Sequence, residues 1–116
     1  MNLVEKHCQA CEGGVAPLTL EEANKYLKKI EGWQLINENK AIICHFSFKN
    51  YYHTMAFVNA IAYMAHFENH HPDMEVSYNR CKVLYTTHAI GGLSENDFIC
   101  AAKVDKLFQD SKGTRG

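Results

Sequence analysis

Seven histidines fall in a chain of 116 residues, and four of them, His66, His70, His71 and His88, lie in one short region. An imidazole changes charge near neutral pH, so it can give or take a proton where carboxylates and lysines are each held in one form. Several in one site imply proton traffic or a metal. His66 and His70 stand at i and i+4, a spacing that sets two ligands on one helix face, and His71 or His88 could complete a zinc site. The Glu that follows the first histidine of the hydrolytic H-E-x-x-H pattern is absent, because Phe67 is there. Taken alone, His70-His71 before Pro72 could equally be a polar helix end.

Thiols are the other reactive groups. Cys8, Cys11, Cys44, Cys81 and Cys100 form an odd, scattered set with no export signal ahead of them, so reduced thiols are expected rather than a disulfide scaffold. Cys8 and Cys11 beside His7 have the look of half a zinc site or a redox pair. Neither a second ligand pair nor a thioredoxin-like βαβ context accompanies them, which favours an incidental pair in a loose arm.

The elements that must position these groups follow from periodicity. Residues 1–17 carry Gly13-Gly14 and Pro17 without periodicity and read as an arm leading into a single domain over 18–116. Thr19 before Leu20-Glu21-Glu22 resembles a helix N-cap, and Leu20, Ala23, Leu27 and Ile30 repeat at helical spacing as far as Gly32. Two short β-rich runs, 33–36 and 41–48, flank the polar Asn37-Glu38-Asn39-Lys40 as a hairpin. From about 49 to 69 no Gly or Pro interrupts, and Tyr51, Met55, Val58, Ala62 and Ala65 trace a helical stripe that Pro72 is expected to end. Val76, Tyr78 and the run 81–88 read as a second hairpin turning near Asn79-Arg80, with His88 near the end of its last strand. Gly91-Gly92 breaks it, and Ser94 caps a last helix through about Phe108 with Asp97 in its first turn. The order α-β-β-α-β-β-α, without a βαβ-type glycine loop, predicts an α+β fold: one antiparallel four-stranded sheet with three helices packed on one face. In it, the end of the long helix and the end of the last strand can converge.

Composition narrows the function. Hydrophobic residues make up 47% and charged residues 22%, the balance of a folded globular domain. The formal net charge is -1 and the Lys and Arg residues are scattered, so no footprint of a nucleic-acid binder is present. The start lacks the apolar core of a signal peptide, and no stretch approaches the roughly 20 apolar residues of a membrane span, which makes a cytoplasmic protein the expectation.

Together, His70-His71-Pro72, Tyr78, His88 and Asp97 resemble the signature of the pterin-4a-carbinolamine dehydratase family. Five residues separate Pro72 from Tyr78, nine separate Tyr78 from His88 and eight separate His88 from Asp97, as that pattern asks. His66 stands four before the first histidine, where the pattern takes an acid, a base or a histidine, and Gly92-Leu93-Ser94-Glu95-Asn96-Asp97 fits as well. Leu18-Thr19, Gly32-Trp33, Phe48-Lys49-Asn50 and Ala101-Ala102-Lys103 look like further landmarks, and His7-Cys8-Gln9-Ala10-Cys11 resembles the arm of bacterial members. Two positions depart: His66 stands where many members have glutamate, and Met74 where many have tryptophan.

The resemblance implies a hydro-lyase that dehydrates the 4a-hydroxytetrahydropterin released by aromatic amino acid hydroxylases, in tetrahydrobiopterin recycling. It implies His70, His71 and His88 as catalytic residues. His66, Pro72 and Thr87 join them in contacting the substrate, and Asp97 either orients His88 or serves as a first-turn helix acid. No metal or redox cofactor is implied, and a homodimer or homotetramer is. Within the family, animal relatives also act as dimerisation cofactors for a homeodomain transcription factor, and others have assembly or regulatory roles. A binding module is therefore the alternative to an enzyme.

Overall fold

A computed structural model describes residues 2–9 and 15–111, and the backbone of residues 114–115. Cys11 and Gly13-Gly14, read above as part of the arm, lie outside the described residues. After a short 3-10 turn at Leu3–Glu5 come α1 (Leu20–Leu27), β1 (Gln34–Ile36), β2 (Ala41–Ser47), α2 (Tyr51–Glu68), β3 (Asp73–Val76), β4 (Arg80–Tyr85) and α3 (Glu95–Gln109). The strands pair antiparallel in the order β1-β2-β4-β3. A two-residue β5 (Thr114–Arg115) adds to β2 opposite Phe46 and Ser47, on the edge that the short β1 leaves open. The α+β fold and its element order are therefore those expected.

Strand alternation decides which face the helices cover. Ile42, Cys44 and Phe46 of β2 share a face with Cys81, Val83 and Tyr85 of β4, and all six are buried. His45 and Lys82 pair on the opposite face. Phe46 meets Phe57 of α2 at 4.9 Å and Phe108 of α3 at 4.7 Å between ring centroids, so both helices press on the centre of that face. Each buried ring contributes about 1.5–3 kcal/mol. Tyr26 of α1 stacks on Phe98 of α3 at 5.1 Å, completing the helical layer.

Two boundaries and the cause of a third differ from the sequence reading, each for a local reason. α1 stops at Leu27 instead of running to Ile30, because Lys29 and Ile30 bond three residues back, to Tyr26 and Leu27 carbonyls, and tighten the chain towards Gly32 at φ 82°. α2 is ended by Asn69 and not by Pro72. Asn69 takes a left-handed conformation (φ 55°), its N–H bonds the His66 carbonyl, and the His70 N–H reaches back to the Ala65 carbonyl. Pro72 instead leads into β3, which begins at Asp73. The second hairpin turns over 77–79, where the Tyr78 carbonyl accepts from the Thr54 hydroxyl at 3.1 Å, so Tyr78 lies in the turn and not in a strand.

Candidate active site

His70 is the first residue past the left-handed Asn69, so its side chain leaves the α2 axis and reaches α3. Its Nε2 lies 2.6 Å from Asp97 Oδ1, and its ring stacks on Tyr85 at 5.5 Å. The Asp97 side chain is fully buried and the His70 side chain is 13% exposed. Asp97 Oδ2 accepts from the Thr87 hydroxyl at 2.8 Å and from the Ser94 N–H at 3.0 Å. Because the single Thr87 hydroxyl hydrogen goes to Asp97, Ser94 Oγ must donate to Thr87 Oγ at their 2.8 Å contact. Burial opposes charge on His70, but the hydrogen bond and negative charge of Asp97 outweigh it and hold its pKa above the ordinary value. His70 is thus an imidazole biased to the protonated form, with Nε2 committed and Nδ1 left for proton transfer.

His71 follows with the opposite character. It is exposed, and its Nδ1 lies 3.0 Å from the Pro72 carbonyl, which can only accept. Nδ1 therefore carries the hydrogen, and Nε2 presents a lone pair when the ring is neutral. His88 opens a 3-10 turn, His88–Ile90, and is not at a strand end as expected, because β4 stops at Tyr85. Thr87 and Gly92 pair across the loop's base (Thr87 N–H to Gly92 carbonyl, 2.9 Å), and Gly91 turns the chain at φ 68°. Gly92 is pressed so closely on Pro17 that a Cβ there would come within 2.7 Å of Pro17 Cβ. The loop is clamped, and His88 stands out from it into solvent.

His70, His71, Thr87 and His88 line one cavity of about 450 Å³. That is within the usual size of small-molecule sites. A larger surface concavity of about 900 Å³ beside Lys28–Glu31 contains no histidine. Of the other expected residues, Pro72 is buried and is not part of the cavity wall, and His66 is exposed on α2 away from it. Asp97 pairs with His70 and not with His88, since the 3-10 turn carries His88 outwards while the start of α3 meets the end of α2. Of the His66/His70 zinc alternative, the structure shows that His70 Nε2 is turned to Asp97 and that, among the described residues, no group of three or more His, Cys, Asp or Glu is disposed to hold a metal.

The cavity also has walls that were not foreseen. Cys8 and Gln9 of the arm, Glu68 and Asn69 at the end of α2, and Asn96 of α3 complete it. Glu68 is the only Asp, Glu, Lys or Arg of α2, and this was the available signal. Burial opposes its ionisation, but the Cys8 N–H, His7 and Lys103 outweigh that and keep the carboxyl below its ordinary range. Among the described cysteines, Cys8, Cys44, Cys81 and Cys100, no disulfide joins any two.

Comparison with known proteins gives the family. Residues 16–107 match the family model described as pterin 4 alpha carbinolamine dehydratase. A protein of Nitrosomonas europaea is 66% identical over 109 residues, 93% of this chain and 95% of that protein. One of Legionella pneumophila (strain Corby) is 54% identical over 110 residues, 94% of this chain and 97% of that protein. Both are named "Putative pterin-4-alpha-carbinolamine dehydratase". Among solved structures, a transcriptional coactivator/pterin dehydratase from Brucella melitensis has a TM-score of 0.75 at 33% identity, covering 78% of this chain and 97% of that one. A pterin dehydratase-like protein described as a RuBisCO assembly factor in the alpha-carboxysome shares the fold, with a TM-score of 0.59 at 22% identity over 66% of this chain and 89% of that one. The chain defined by this α+β fold and histidine site belongs to the pterin 4 alpha carbinolamine dehydratase family. No helix among its described residues is long and apolar enough to cross a membrane.

Proposed function

We propose that the protein is a 4a-hydroxytetrahydropterin dehydratase that releases water by histidine acid/base catalysis. The observation that carries this reading is the set of three imidazoles around one cavity, one of them held towards its charged form by a buried carboxylate. In the proposed step His70 protonates the 4a-hydroxyl as the C–O bond breaks, and His88 takes the proton of the adjoining ring nitrogen. The N–H electron pair becomes the C=N bond of the quinonoid dihydropterin. His71, with Nε2 as acceptor, orients a substrate N–H. The step is redox-neutral and its proton donor and acceptor are both side chains, so no metal or cofactor enters it. An aromatic amino acid hydroxylase is the proposed source of the substrate, and the cytoplasm the proposed location.

We also propose a homo-oligomer. Tyr52, Tyr63 and Phe67 lie on one outward stripe of α2 and are 80%, 74% and 69% exposed, and β3 is an edge strand. Relatives described as a coactivator or an assembly factor raise the alternative of a binding module, but a module has no need of the His70–Asp97 pair. Stopped-flow absorbance on carbinolamine generated in situ by a hydroxylase tests the enzymatic reading. Decay faster than the uncatalysed rate supports it, and decay at the uncatalysed rate overturns it.

A further inference from the structure

Two buried polar side chains at the cavity make no hydrogen bond to His70, His71 or His88. Glu68 and Asn96 are each 7% exposed, and both turn towards the arm. Glu68 Oε1 accepts the Cys8 N–H at 2.8 Å, and its Oε2 lies 2.8 Å from His7 Nδ1. Asn96 grips one residue from both sides: its Oδ1 accepts the Gln9 N–H at 3.0 Å and its Nδ2 donates to the Gln9 carbonyl at 2.6 Å. One amide thus does for Gln9 what a neighbouring strand would do. Further back the arm is anchored by the buried Leu3, by Lys103 Nζ on the Val4 carbonyl at 2.9 Å and by Lys6 on Glu95 at 2.8 Å. Burying a carboxylate and an amide is costly unless each is satisfied, and here the arm's backbone and the His7 side chain, with Lys103 on Glu68 Oε2, satisfy them. The arm is therefore built into the fold at the place where the histidine cavity opens.

The consequence falls on Gln9. Both its backbone groups are committed to Asn96, it is exposed, and it lines the cavity with His70, His71 and His88. Its side-chain amide has no partner among the described residues, and it offers a donor and an acceptor side by side. In the proposed step His70 and His88 are occupied with proton transfer and His71 with one substrate N–H, and the Thr87 hydroxyl is spent on Asp97. An amide is the group that matches the alternating N–H and C=O along the pyrimidinone edge of a 2-amino-4-oxo-pteridine. We propose that Gln9 is a substrate-binding, specificity-determining residue of this site, and that Asn96 is the positioning residue that presents it. The inference rests on the pterin reading above, and it makes the arm the fourth wall of the pocket.

The test uses the full chain and an oxidised, unreactive 2-amino-4-oxo-pteridine, with binding followed by fluorescence quenching alongside dehydration kinetics. Gln9→Ala, at an exposed position, is expected to raise the pteridine Kd and the KM roughly three- to tenfold, the range of one neutral hydrogen bond, with kcat unchanged. Asn96→Ala should reproduce the KM rise, and the double variant should be no worse than the more impaired single one, because both changes remove the same contact. Wild-type binding with an unaltered Kd and KM in Gln9→Ala overturns the role of Gln9 while leaving the pterin reading in place. A wild-type protein that binds no pteridine overturns both. A fall in kcat in Asn96→Ala without a rise in KM would assign Asn96 to the fold and refute its positioning role.

Discussion

Replacing Asp97 with Asn is the sharpest probe of the site, because it keeps the shape and removes only the charge. Asp97 receives three donors: His70 Nε2–H on Oδ1, and the Thr87 hydroxyl and Ser94 N–H on Oδ2. An asparagine has one oxygen to offer. The Ser94 N–H is backbone and cannot change its role, so the oxygen is expected to turn to Ser94 and Thr87. The amide N–H₂ then faces His70 Nε2. That nitrogen must become an acceptor, which forces the neutral ring into its Nδ1–H form and removes the partner that favours the imidazolium. Loss of a charge-assisted buried bond costs about 1.5–3 kcal/mol.

The sign with pH follows from His70, whose folded pKa is raised above 6.5. Its pairing contributes stability in full below the unfolded value and loses it as pH rises through the folded one. Denaturant unfolding should therefore show a larger wild-type advantage over Asp97→Asn at about pH 6 than at about pH 9. In stopped-flow dehydration, kcat should fall by a large part of the roughly 10²–10⁴-fold attributed to one acid/base step, and the alkaline limb of the pH profile should shift towards neutral. A variant with wild-type kcat and an unmoved alkaline limb would refute the reasoning. Equal destabilisation at both pH values would leave Asp97 as a helix cap alone.

His88→Ala should lower kcat by about 10²–10⁴-fold with little change in melting temperature, since the residue is exposed on a clamped loop, and calorimetry beside kinetics checks both. His71→Ala should raise KM as well as lower kcat, which saturation curves will separate. His66→Ala and His66→Glu should both stay within about twofold of wild-type kcat, because His66 lies outside the cavity; a larger loss in either would return it to the site. Phe67→Glu on the exposed stripe of α2 should split the oligomer while leaving the monomer folded, as light scattering and circular dichroism would report.

Periodicity and turn chemistry were enough to read the element order, the sheet and the cap of α3, because each is encoded within a few residues. The errors arose where two encodings compete. The end of α2 near residue 69 was legible but its cause was not: Pro72 is a strong stop signal, yet it is Asn69, in the left-handed conformation, that ends the helix and turns His70 towards α3. The β-rich run 81–88 reads as one strand, but the Thr87–Gly92 pairing folds its end back and exposes His88. Other contacts leave no periodic trace at all. His70 meets Asp97 across 27 positions, and Glu68 meets Cys8 across 60. The acid in the first turn of α3 was visible as a helix acid, and its second oxygen still plays that part by taking the Ser94 N–H. Its first oxygen is free for His70 only because that capping bond needs just one. One aspartate can therefore start the helix and charge the histidine, and for that reason the local reading of Asp97 was correct yet gave no hint of its partner.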